Sequence, residues 1–129
     1  MWFPDLQFIL GTFTLLKELP ECSDLIKDKC VNPNGLNGTL DKVKFGLPFK
    51  KSTYIEKASI LIHDIVLYHY FTDGNKRIGF LSMVIFLKKN GKIISASEDE
   101  KVEFTLEIAR GKSSLEDISS WIFGHLNIE

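Results

Sequence analysis

The stretch that most limits what this chain can become is Ile78-Gly-Phe-Leu-Ser-Met-Val-Ile-Phe-Leu87, apolar on nearly every side. A helix built from it has no wet face and belongs in a core, covered by neighbours. The polar run His69-Tyr-Phe-Thr-Asp-Gly-Asn-Lys-Arg77 feeds straight into it. The expectation is an all-α helical bundle around a buried central helix at about residues 75–90, with little or no strand. Ile78, Leu81, Val84, Ile85 and Phe86 are its expected core residues.

Other stretches supply the bundle. Leu6, Ile9, Leu10, Phe13 and Leu16 fall at helical spacing from Asp5 to Leu19, and Pro20 closes that stretch. Trp2, Phe3 and Phe8 add apolar surface that either packs on the core or stays exposed as a partner site. Pro33, Asn34-Gly35 and Asn37-Gly38 make residues 20–38 read as turns and loop. A short helix is expected from about Thr39 to Phe45, with Leu40 and Val43 inward and Gly46 ending it. Tyr54, Ile55, Ala58, Leu61, Ile62 and Ile65 mark a helix over Thr53–Tyr68. Lys92–Ile94 reads as extended. Ser97-Glu-Asp-Glu100 is a capping-box pattern opening a helix with Val102, Leu106 and Ala109 on one face. Ser113-Ser-Leu-Glu116 repeats the pattern before a stripe of Leu115, Ile118, Ile122 and Leu126.

The polar run carries the chemistry. Gly74 lets backbone approach a ligand closely. Asn75, Lys76 and Arg77 fall on the first turn of the apolar helix, where backbone N–H groups and the dipole favour an anion. Two cations there make phosphate the natural anion. A carboxylate beside a phosphate site suits Mg²⁺, which binds through one or two carboxylates plus the phosphates themselves, so Asp73 is the metal candidate. His69, four residues earlier, is a residue type suited to general-base work.

The ordered set His69, Phe71, Asp73, Gly74, Asn75, Lys76 and Arg77 resembles the signature of the Fic/Doc family, His-x-Phe-x-Asp/Glu-Gly-Asn-Gly/Lys-Arg. The resemblance implies one Fic/Doc domain over residues 1–129, a helical Fic fold, and transfer of a phosphate or AMP group from ATP or another nucleoside triphosphate to a protein hydroxyl. His69 would be the base, Asp73 the Mg²⁺ ligand, and Gly74, Asn75, Lys76 and Arg77 the phosphate-binding residues, with Phe71 pinning the loop. Phe80 stands where many adenylyl-transferring members have a second Arg, and Lys76 where they have Gly. Both departures are similar to the short Doc toxins, which are kinases, although Doc members carry Ala at the Gly74 position. The lean is to phosphate transfer, with AMP transfer kept open. Tyr70 replaces a Pro common in the family, with no chemical consequence evident from sequence. By the same resemblance, residues 46–52 are the candidate flap that clamps a target. Thr14-Leu-Leu-Lys-Glu18 begins like the family's self-inhibitory motif but continues into Leu19, as an ordinary helix would. The implied partners are a protein substrate, a translation factor among the candidates, and a separate antitoxin.

Two other functions stay open. One is a non-catalytic nucleotide- or phosphate-binding interaction module, against which His69 speaks, because an anion site needs no base. The more distant one is a metal-dependent phosphohydrolase, suggested by His63-Asp64, which reads otherwise as a solvated or capping pair. Sixteen Lys and Arg against 17 Asp and Glu give no field for nucleic acid or membrane. The start Met1-Trp-Phe-Pro-Asp lacks the basic region of a signal peptide, and Cys22 and Cys30 read as reduced thiols, so the expected location is cytoplasmic.

Overall fold

The computed structural model describes residues 1–18, 30–46 and 53–128. Six helices and one small sheet follow in the order α1 (Leu6–Glu18), α2 (Pro33–Phe45), α3 (Tyr54–Tyr68), α4 (Asn75–Lys89), β1 (Lys92–Ile94), α5 (Glu98–Ala109), α6 (Leu115–Gly124) and β2 (Leu126–Ile128). The fold is all-α, as the apolar periodicities require. No described helix is long and apolar enough to cross a membrane.

Helices α3 and α4 share the centre. They approach so closely that a Cβ at Gly79 would lie 2.6 Å from the Val66 side chain. Helix α3 also packs on α2, α5 and α6, while α4 touches α1, α5 and β1. Within α4, Ile78 and Phe86 are buried as expected. Leu81, Val84 and Ile85 are only half-buried, and Gly79, Ser82, Met83 and Leu87 take the innermost places instead. The line of α4 that meets α3 passes through Gly79, whose missing side chain lets the two helices approach. Trp2, Phe3 and Phe8 pack against the core rather than standing exposed.

Three further expectations change. Helix α2 begins at Pro33, not near Thr39. Pro33 supplies a favourable first turn, and the Asn32 side chain accepts from the Gly35 N–H, so turn-forming dipeptides are absorbed into a capped helix. Helix α5 buries Phe104, Thr105 and Ile108, whereas Val102 is exposed. The reason is tertiary: Phe104 stacks on Trp121 of α6, centroids 3.9 Å apart, and meets Phe80 edge-on. Leu126 is not the end of a helical stripe. Helix α6 stops at a His125 cap, and Leu126 pairs with Ile94 in the antiparallel β1–β2 ladder. The α6 capping box is formed by Ser114 and Asp117, one residue later than the pattern at Ser113 suggested, while the Ser97–Glu100 box opens α5 as read. Of the proposed flap, residues 47–52 lie outside the described residues, as does Cys22. Cys30 is a free thiol.

Candidate active site

The sequence from Tyr68 to Arg77 folds as a helix end, a short loop and a helix start. Helix α3 ends at His69, whose backbone is left-handed at φ 53° and ψ 56°. It is the only non-glycine with positive φ among the described residues. Such a conformation is unfavourable for a residue with a Cβ and persists where its surroundings hold it. The His69 ring is exposed, and its Nδ1 lies 2.9 Å from the Leu67 carbonyl. A carbonyl can only accept, so Nδ1 carries the proton. In the neutral ring Nε2 therefore keeps its lone pair.

Phe71 anchors the loop. Its ring is buried against Phe13, centroids 4.2 Å apart, and its backbone bridges to Cys30. The Asn75 side chain clamps the same residue from the other side. Its Oδ1 accepts from the Phe71 N–H at 3.1 Å, and its Nδ2 donates to the Phe71 carbonyl at 2.9 Å. Asn75 is thus buried, with its amide committed to the loop. What it can still present to an anion is its backbone N–H.

Gly74, at φ 78°, is the N-cap of α4 and offers no capping side chain. The contrast with the other described helices is informative. Asp5 accepts from the Phe8 N–H in α1, and Asn32, Thr53, Ser97 and Ser114 cap α2, α3, α5 and α6. Only α4 begins without a side-chain cap, so its first-turn N–H groups face outward with the positive end of the dipole. They face a cleft of about 270 Å³, lined by His69, Thr72, Asp73 and the Gly74–Arg77 turn, with Val66 and Ala109 as its apolar walls. Lys76 and Arg77 are exposed along it. The Asp73 carboxylate is also exposed, and its Oδ1 accepts from the Gly74 N–H at 2.7 Å. All six candidate residues line this one cleft.

The matched motif agrees with an independent comparison. Residues 27–87 match the profile of the Fic/DOC family, from ahead of α2 almost to the end of α4. Residues 27–87 are a Fic/DOC segment by this match. No curated protein matches the chain. The family is in general one of transferases, and the matched segment contains the whole polar run and all but the last two residues of the helix it opens.

Sequence reasoning missed a second polar centre in the Fic/DOC segment. Asp64 is not solvated but only 2% exposed. Its Oδ2 accepts from Lys42 Nζ at 2.5 Å and Thr39 Oγ1 at 2.9 Å, and its Oδ1 lies 2.8 Å from His63 Nδ1. Burial pushes the Asp64 carboxyl up, but the hydrogen bonds from His63, Lys42 and Thr39 outweigh it and hold the group below the usual carboxylate range. Tyr70, between His69 and Phe71, is 5% exposed, and its hydroxyl lies 2.6 Å from Thr39 Oγ1. Burial raises its phenol above the ordinary tyrosine value. Tyr70 therefore has a chemical consequence after all. The only sequence signal was polar residues at positions on α2 and α3 that helical spacing turns inward.

Proposed function

We propose that this chain transfers the γ-phosphate of ATP to a Ser, Thr or Tyr hydroxyl of another protein. The observation that carries the reading is the shared cleft: an imidazole with its Nε2 lone pair available and the one described helix start without a side-chain cap line the same space. His69 Nε2 takes the proton from the incoming hydroxyl, a contribution typically worth about 10²–10⁴-fold in rate. The hydroxyl oxygen bonds to the γ-phosphorus as the bond to the bridging oxygen breaks, and ADP leaves. The α4 first turn with Lys76 and Arg77 stabilises the phosphate oxygens. Asp73 suits Mg²⁺ in a particular way. No group of three or more His, Cys, Asp or Glu is placed to cage a metal among the described residues. A cation bound by one carboxylate, water and substrate phosphates is the mode Mg²⁺ prefers. When bound, it would neutralise charge on the phosphates.

Phosphate is favoured over AMP because the cationic groups gather at Lys76 and Arg77, while Phe80 turns to the Phe104–Trp121 cluster and adds no cation. Resemblance to short Doc kinases extends the proposal to a toxin held by a separate antitoxin. The phosphohydrolase alternative loses support from Asp64, whose oxygens already serve Thr39, Lys42 and His63. The test incubates the protein, Mg²⁺ and a cell extract with ATP labelled at the γ- or the α-phosphate. Protein label from γ alone is expected, and it should vanish in His69→Ala while ATP binding persists. Label from α alone would replace phosphate transfer by AMP transfer. Nucleotide binding without any protein label would favour the interaction module.

A further inference from the structure

We infer that Tyr70 is a positioning residue, braced through Thr39 by the buried Asp64, that holds the backbone carrying His69. The inference rests on the transferase reading for its catalytic meaning, but its geometry stands by itself.

The proton inventory gives the brace a direction. Asp64 sits against Lys42 as a carboxylate and can only accept. The single Thr39 proton goes to Asp64 Oδ2, so Tyr70 must donate to Thr39 Oγ1 across the 2.6 Å contact. A buried anion thus sets both hydroxyls, and a chain of hydrogen bonds of this kind is mutually strengthening. It joins α2, α3 and the loop through contacts 25 and 31 residues apart in sequence.

Tyr70 is held at its other end too. Its carbonyl accepts from the Val31 N–H at 2.8 Å and the Asn32 N–H at 3.2 Å. Its ring lies over Gly35, where a Cβ would come within 2.8 Å of Cε1. Backbone, ring and hydroxyl are therefore each fixed by a different neighbour. The residue immediately before it is the left-handed His69, which follows the last turn of α3. A strained backbone between a helix end and a loop keeps its form only while both sides are fixed. The helix fixes one side and Tyr70 the other. Phe71 and Asn75 hold the loop beyond, so loss of the brace releases the base more than the phosphate turn.

Tyr70→Phe keeps the ring and removes only the donor, and Thr39→Val removes the relay. Ser59→Ala is the control. It deletes another buried hydroxyl, on α3, which pairs with Ser119 of α6 at 2.8 Å rather than with the loop. Two readouts need no turnover: hydrogen exchange of the Val31 and Asn32 amides, and the NMR resonances of the His69 ring. Both Tyr70→Phe and Thr39→Val are expected to speed that exchange and shift those resonances, with Ser59→Ala leaving them in place. In the labelling assay, Tyr70→Phe is expected to lower kcat by up to about 100-fold with the KM for Mg²⁺–ATP unchanged, as misplacement of a base would. Wild-type exchange and wild-type His69 resonances in Tyr70→Phe would overturn the inference. So would equal changes in Ser59→Ala, which would mean general loosening. If Thr39→Val does not fold, Tyr70→Phe decides alone. If the wild type transfers nothing, the transferase reading falls, and exchange and resonances still decide whether Tyr70 holds His69.

Discussion

Neighbouring residues of the motif divide their work by burial. Asn75 and Lys76 adjoin in sequence, but one is 7% exposed with both amide atoms on Phe71, and the other faces the cleft. Asn75→Ala strands a buried N–H and a buried carbonyl, and the expected loss is about 1–3 kcal/mol of stability in urea unfolding. Lys76→Ala touches no buried group. Its stability is expected to stay within about 0.5 kcal/mol of wild type. Calorimetric titration with Mg²⁺–ATP should instead show weaker binding for Lys76→Ala. Equal unfolding midpoints for the two variants would remove the distinction drawn between clamp and anion site.

At the scale of elements, α4 combines two opposite buried features. Phe86 is fully buried against Phe3 and the core, so Phe86→Ala should cost about 3–5 kcal/mol. Ser82, 2% exposed, has an Oγ with no hydrogen-bond partner among the described residues. Removing an orphaned hydroxyl and replacing Ser by a better helix former should both help, so Ser82→Ala is expected to stabilise by about 1 kcal/mol. Chemical unfolding measures both, and a destabilised Ser82→Ala would show that the hydroxyl has a partner after all. Helix α2 illustrates a different balance. Lys57 of α3 is buried and donates to the Val43 carbonyl at 2.6 Å, placing a cation at the end of α2 where the dipole favours it. Each end of α2 is thereby held, by Asn32 and by Lys57, despite two glycines and an indifferent periodicity.

Over the whole molecule, the chain closes through Glu100 and His125. His125 Nε2 meets Glu100 Oε2 at 2.7 Å, and its Nδ1 meets the Trp121 carbonyl at 2.7 Å, so the doubly protonated ring is favoured. The Trp121 carbonyl and then Glu100 push the imidazole above its ordinary value. The Ser97 backbone N–H, then His125, hold the Glu100 carboxyl down to about 2. The signs are opposite. The His125 contribution is complete below its unfolded value of 6.5 and is lost as pH rises through the raised folded value. The Glu100 contribution is complete above 4.5 and is lost as pH falls toward about 2. The melting temperature of wild type should exceed that of His125→Gln most between pH 4.5 and 6.5, with the gap narrowing in alkali, in strong acid and in high salt. A gap independent of pH would mean that the ring acts by packing on Trp121 alone.

Sequence by itself determined what depends on near neighbours. The apolar run fixed α4 and an all-α bundle, Thr53 and the Ser97 box fixed two helix starts, and Gly74 marked the turn into the cleft, because periodicity and capping act within about one helical turn. It also named six of the residues that line the cleft, since the motif lies on one short loop and helix start. Tertiary structure decided which of them turn away from solvent: Asn75 clamps Phe71 because Phe71 is buried on Phe13. It also decided the inward face of α5, which Trp121 selects. Most of all it decided the fate of Asp64 and Tyr70. A buried carboxylate is tolerable only when its partners arrive, and Thr39 and Lys42 arrive from another helix, at sequence separations where spacing carries no information.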